Sequence, residues 1–339
     1  MTLLFMDGFD AGDFPVKWTS YGGGTQVSTT TRFGTGYSMN ISNYFWSMKK
    51  IFPFQTNHIY VGWAMYTAAG GSYGSDTYMS LFGNDGTTLH LRLMLNTPTT
   101  LCVKRGDGTT LATSTNGTFP TSTWNYIEMS ATIDDTAGTV VVRVNGATVI
   151  NFTGDTRNGG ATTTIDSICL GDVGGNVGPR VTTYFDDLYV LDDTGAAPYN
   201  TFLGDVRVRT LTPNAAGSST QFTPSTGANY TTVDEIPYSA SDYVSSPNVG
   251  DRDTYSVSDL SGTASIYGIQ NNVIAKKTDA GSVSLKPAIK SGATVYYGTP
   301  SVLTATDITY YDTRQVDPST SANWTTTGVN SLESGFEVA

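Results

Sequence analysis

Apolar and polar residues alternate along this chain in short stretches, and turn-forming residues separate the stretches. "HIYVGWAMYT" (58–67), "TYMSLFG" (77–83), "LHLRLML" (89–95), "YIEMSATID" (126–134) and "TVVVRVN" (139–145) carry the two-residue period of half-buried strands. In the third, Leu89, Leu91, Leu93 and Leu95 fall on one face. Asn145-Gly146 between two such runs predicts a type I′ hairpin. Strands are predicted again at 265–277, 281–290 and 306–315, with a short helix at 329–332 before a last strand. Residues 212–230 and 245–260 are rich in turn formers and read as loops. "DDTGAAPYN" (192–200) interrupts the pattern and predicts a boundary between a domain of residues 1–195 and one of residues 196–339. Short strands with a turn signal every ten or so residues mean a sandwich or barrel.

Composition sharpens the fold class. Only 14% of the 339 residues are charged, against a usual share of about a quarter. Glu occurs only at 128, 235, 333 and 337, so good helix formers are scarce while β-branched and aromatic residues abound. The expected class is all-β.

The net charge of −11 and the absence of Lys/Arg clusters along the sequence argue against nucleic acid or anionic lipid as partner. No stretch approaches the apolar length of a membrane-spanning helix. "MTLLFMDGFD" lacks a basic start and Asp7 interrupts its apolar run, so it does not read as a signal peptide and points to synthesis in a cytoplasm. Cys102 and Cys169 sit in apolar stretches, as small core residues or as a disulfide.

Three features occur in one order within residues 1–192: "LLFMDGFD", then Trp124 with "NYIEMSATIDDTAGTVVVRVNGATV", then "YFDDLYVLDD". Together they resemble the laminin-G-like, concanavalin A-like family. That resemblance implies a β-sandwich jelly roll, followed here by a second β-rich domain, and a capacity to bind sugar or protein. "FLGDVRVRTLTPNAAGSSTQFTPSTGANYTTVDE" and "DPSTSANWTTTGVNSLESGFEV" resemble segments of tailed-bacteriophage structural proteins in which such a part follows a laminin-G-like one. The resemblance implies a virion structural protein, a tail or head appendage or decoration, assembled in the host cytoplasm. Its partners would be other virion subunits and a host-surface glycan, and it would form a homo-oligomer such as a trimer, which also protects strand edges.

Candidate chemistry is sparse. Glycoside hydrolysis needs paired carboxylates, and the Glu-x-Asp-x-x-Glu pattern of jelly-roll glucanases is absent. There is no Gly-x-Ser-x-Gly elbow, His-x-x-x-His, Cys-x-x-Cys or EF-hand loop. The expectation is a protein that is not an enzyme and has no cofactor beyond a structural calcium ion, which the resemblance allows at the rim. Asp7, Asp134 and Asp186 are its candidate ligands, from a wider set that includes Asp10, Asp135, Asp172 and Asp187. Against that, "DD" before "TAG" reads equally as a turn whose Asp side chains accept backbone N–H groups. Among the aromatics, Trp46, Trp63 and Trp124 are assigned to the core. Tyr73, Tyr78 and Tyr44 are the expected contacts with a glycan or partner. A dedicated carbohydrate-binding adhesin and a polysaccharide depolymerase are the alternative functions.

The densest acidic stretch is "YFDDLYVLDD" (184–193). Strict alternation there puts Asp186 and Asp187 on opposite faces of a closing strand, which removes them as a joint acid/base pair.

Overall fold

The computed structural model describes residues 3–41, 47–69, 76–160, 162–171 and 181–339. The expected class holds: among these residues nearly all regular structure is antiparallel strand, and the first part of the chain is a two-sheet jelly-roll sandwich followed by a second β-rich part. Among the described residues no helix is long and apolar enough to cross a membrane.

The first unit comprises residues 1–10 and 18–208. Its strands are β1 (Leu3–Asp7), β2 (Ser20–Tyr21), β3 (Thr25–Ser28), β4 (Ser38–Ile41), β5 (Ser47–Thr56), β6 (His58–Thr67), β7 (Asp76–Gly83) and β8 (Thr88–Thr97). They continue with β9 (Thr100–Arg105), β10 (Thr110–Thr113), β11 (Trp124–Thr132), β12 (Gly138–Val144), β13 (Ala147–Gly154), β14 (Ile165–Gly171) and β15 (Thr183–Leu191). An eight-stranded sheet runs β13-β12-β11-β6-β15-β4-β3, with β1 also paired to β15. A seven-stranded sheet runs β10-β9-β8-β7-β14-β5-β2.

Period-2 alternation decides which side chains lie between the sheets. Ile59, Val61, Trp63 and Met65 of β6 are fully buried, as are Met79 and Leu81 of β7, Leu91, Leu93 and Leu95 of β8, and Ile168 and Leu170 of β14. Across the gap, Phe5 of β1 meets Phe52 of β5 at 6.0 Å between ring centroids. The predicted hairpin joins β12 and β13, with Asn145 and Gly146 at φ 49° and 81°, the positive values a type I′ turn requires.

The closing strand β15 departs from strict alternation. Asp186 lies opposite Ala64 and Tyr189 opposite Gly62, so Asp187 and Leu188 together face a single β6 residue in a bulge. Asp187 has φ 52°. The other edge of β15 changes partner here, from β4 at 183–185 to β1 at 188–191. The expectation that the two aspartates point to opposite faces therefore fails, because the bulge resets the alternation.

The second unit comprises residues 209–339 and residues 11–17, the latter including the short helix α1 (Phe14–Lys17). Its main sheet orders Pro213–Thr220, Arg252–Val257, Glu333–Val338, Ser284–Ser291 and Thr294–Tyr297 side by side, with Ser301–Val302 also on Ser284–Ser291. Val257, Ile289, Trp324, Val329 and Leu332 form its core, and α2 (Thr326–Ser331) is the predicted terminal helix, begun by Thr325 accepting from Gly328 N. Two stretches read as loops contain strands: Pro213–Thr220 is an exposed edge strand of small residues held by backbone pairing, and Arg252–Val257 is its neighbour. The chain divides at 208/209 rather than 195/196, because residues 199–208 make specific bonds within the first sandwich, described below.

Candidate functional site

The outward face of the eight-stranded sheet displays the side chains that alternate with the core set. On β6 these are His58, Tyr60, Gly62, Ala64 and Tyr66. Direct register pairs Trp124 of β11 with Tyr66, Tyr66 with Tyr184 of β15, Tyr184 with Asn40 of β4, and Asn40 with Gln26 of β3. Five strands thus contribute one residue each to a row about 19 Å long, given strand spacing of about 4.8 Å. Tyr66 lies 5.8 Å from Tyr184 and 5.9 Å from Trp124, centroid to centroid, with planes inclined by 67° and 55°. The aromatics and Asn40 are half-buried and Gln26 is exposed. Among the described residues the side chains of Tyr184, Asn40 and Gln26 have no hydrogen-bond partner. Three aromatic rings thus lead into two free amides, each amide offering a carbonyl acceptor and two N–H donors.

Beside this row the face is covered by residues 199–208 of the same unit. The Phe202 ring centroid stands 5.3 Å from that of Tyr60 and 4.2 Å from the Arg143 guanidinium. Glu128, buried on β11, accepts from Tyr189 Oη at 2.6 Å and from Gly204 N at 2.7 Å, and Leu203 N donates to Tyr189 Oη at 3.2 Å. Burial and the Glu128 carboxylate hold the Tyr189 phenol well above its ordinary pKa. Asp187 accepts from Val208 N at 2.8 Å and from Arg32 at 3.0 Å, while Arg32 also grips Asp205 at 2.5 Å. Arg32 N donates to Asp186 at 3.3 Å and its guanidinium lies 5.1 Å from the Tyr126 ring centroid. Burial, then the neighbouring Asp187, pushes the Asp186 carboxyl up to about 8. The two aspartates thus converge on one arginine and fasten a covering segment; they are structural acids.

The residues singled out from sequence scatter. Tyr44 and Tyr73 lie outside the described residues, as do Trp46 and Asp172. Tyr78 is fully buried, at a bulge of β7, and offers no surface for a glycan or partner, which corrects that expectation. Trp63 is in the core as expected, whereas Trp124 is half-buried on the outward face.

The three calcium candidates Asp7, Asp134 and Asp186 are not grouped at one site. Asp7 accepts from Trp18 Nε1 at 2.8 Å and Phe9 N at 2.9 Å. Asp134 accepts from Thr136 N and Ala137 N, both at 2.8 Å, which is the turn reading of "DDTAG" and holds its carboxyl below the usual range. Among the described residues no three His, Cys, Asp or Glu are grouped to hold a metal ion. Cys102 and Cys169 are both buried thiols and are not joined by a disulfide.

Tyr66, Tyr184, Asn40 and Gln26 were missed. The signal was present in "HIYVGWAMYT", where tyrosines hold the positions that alternate with the core residues.

No protein-family model and no curated protein matches the sequence. Solved structures are similar in fold. "Cellulose induced protein, Cip1" has a TM-score of 0.42 at 19% identity over 55% of this chain and 96% of that one. Alginate lyase vAL-1 from Chlorella virus has 0.40 at 15% over 57% and 98%. A Bacillus subtilis protein with a galectin-like fold has 0.38 at 14% over 57% and 98%.

Proposed function

We propose that this is a non-enzymatic virion structural protein whose first sandwich binds a host-surface glycan on the outward face of its eight-stranded sheet. The observation that carries the binding reading is the row Trp124–Tyr66–Tyr184–Asn40–Gln26, aromatic at one end and amide at the other. Sugar rings offer apolar C–H faces for aromatic planes and hydroxyls for amides, so one row serves both parts of a saccharide chain. The row lies on strands of a rigid sheet, which holds it in place before a ligand arrives. The virion role rests on the resemblance of the later segments to tailed-phage structural proteins. It carries with it other virion subunits as partners and assembly as a homo-oligomer.

Glycan-array binding by the intact protein tests the site. Tyr66→Ala and Tyr184→Ala are each expected to weaken binding about tenfold, the scale of one aromatic contact. Unchanged binding in both folded variants would remove the row as the site, and no binding to any host polysaccharide would remove the glycan reading. Mass spectrometry of purified particles tests the virion role, which fails if the protein is absent from them. Release of reducing ends from host polysaccharide would overturn the non-enzymatic reading and favour a depolymerase.

A further inference from the structure

The row on the eight-stranded sheet is a strip rather than a broad patch. At the next outward level along the strands, Tyr126, Ala64 and Asp186 are buried. Leu203 and Val206 of the covering segment pack against the cluster that holds Tyr126 and Ala64. Trp124, Tyr66, Tyr184 and Asn40 are only half-buried and Gln26 is exposed. A ligand that uses the whole row must therefore run across the strands, over about 19 Å of sheet. A pyranose residue in an extended chain is about as long as one strand spacing, so the row takes about four of them.

The aromatic rings do not make one flat platform. Tyr66 is inclined by 55° to Trp124 and by 67° to Tyr184, at centroid distances of 5.9 and 5.8 Å. No single plane can stack on two rings inclined so steeply. Tyr66 touches both neighbours, so packing holds these inclinations before a ligand arrives. A flat ribbon, with all its sugar rings in one plane, would stack on one ring and miss the others. In a twisted chain each sugar plane turns against the one before it, and successive faces point in successive directions. The row is also uncharged, in a protein of net charge −11. A carboxylate laid on it would lose water without meeting a cation among the five side chains.

Resting on the glycan reading above, we propose that the ligand is a neutral polysaccharide with a twisted backbone, bound along an internal stretch of about four residues. Its sugar rings stack on Trp124, Tyr66 and Tyr184 in turn, and its hydroxyls then bond to the amides of Asn40 and Gln26. Xylan represents this class, because its chain winds so that each ring plane turns well away from the last. Crystalline cellulose has the same linkage between its sugars but presents flat ribbons.

Affinity electrophoresis of the full chain in soluble xylan, with pull-down on crystalline cellulose, tests the twist. Polygalacturonate is the charged comparison. Xylan is expected to retard the protein, whereas cellulose and polygalacturonate should leave it free. Calorimetric titration with xylo-oligosaccharides tests the length. Affinity should rise about tenfold from the disaccharide to the tetrasaccharide and then level off. Asn40→Ala combined with Gln26→Ala should abolish the gain from the trisaccharide to the tetrasaccharide. If that double variant fails to fold by circular dichroism, Gln26→Ala, exposed on the edge strand β3, carries the test. No retardation by xylan, equal binding to cellulose or polygalacturonate, or affinity that stops rising at the disaccharide would overturn the proposal. In each of those cases, glycan-array binding that is lost on Tyr66→Ala would leave the aromatic row standing as a glycan site with a different ligand. An array without any bound glycan would remove both readings.

Discussion

The ring of Tyr189 lies directly over Gly62, so that a Cβ built on that glycine would collide with Tyr189 Cε1. The glycine is required by this close approach between neighbouring strands. Gly62→Ala is expected to push the phenol off Glu128 and Leu203 N and to destabilise the first unit by about 1–3 kcal/mol. Thermal unfolding measures the loss. Limited proteolysis should show earlier cleavage within 199–208, and an unchanged midpoint and digestion pattern would mean the ring moves without cost.

Stability should fall as pH rises through neutrality. The Asp186 carboxyl is pushed up to about 8, from about 3.9 in an unfolded chain, by burial and by Asp187. Between about pH 4 and 8 the folded chain therefore holds a proton that the unfolded chain releases, and the unfolding free energy declines with pH over that window. The decline is on the order of a few kcal/mol. Chemical denaturation at pH 5 and pH 8.5 measures it, and Asp186→Asn is expected to flatten the profile. A profile that rises across this range in the parent protein would contradict the assignment.

The alternation rule succeeded where the chain obeyed it. "HIYVGWAMYT" is β6 from end to end, and Asn145-Gly146 is the hairpin turn it promised. It failed at Asp187, since one residue in a bulge cannot be told from its neighbours by composition. It also failed for "PNAAGSST", a strand with no large apolar residue, whose place is fixed by backbone pairing to Arg252–Val257. The row on the eight-stranded sheet was not legible. It needs the order of strands across the sheet, which brings Gln26 and Trp124, about a hundred residues apart, into one line. Tyr78 misled for a related reason: its strand was legible, but the sequence does not show that the protein closes over that tyrosine.

In the second unit, Asp253 is buried and gathers four donors: Gln221 N at 2.6 Å, Phe222 N at 2.9 Å, Asn229 Nδ2 at 2.5 Å and Tyr255 Oη at 2.8 Å. Asp253→Ala would strand all of them, at a cost of about 3–5 kcal/mol. Calorimetry should show the loss in the transition that belongs to residues 209–339. Equal stability of the variant would mean that water replaces the carboxylate.

Cys102 and Cys169 should resist thiol reagents in the folded protein, because both are buried and burial pushes the Cys102 thiol up, away from its reactive thiolate. Labelling is expected only on unfolding, and reductant should leave the melting temperature alone. Rapid labelling under native conditions would show that the strands open locally.

Residues 11–17 belong with the second unit although the chain returns to the first at residue 18. During synthesis this heptapeptide emerges early and must wait for residues 209–339 before its own neighbours exist. A gene cut at any single codon therefore cannot yield both halves whole: truncation at 208 leaves the first sandwich carrying an orphan segment, and a fragment starting at 209 lacks it. Expressing the second unit alone calls for the heptapeptide to be grafted back.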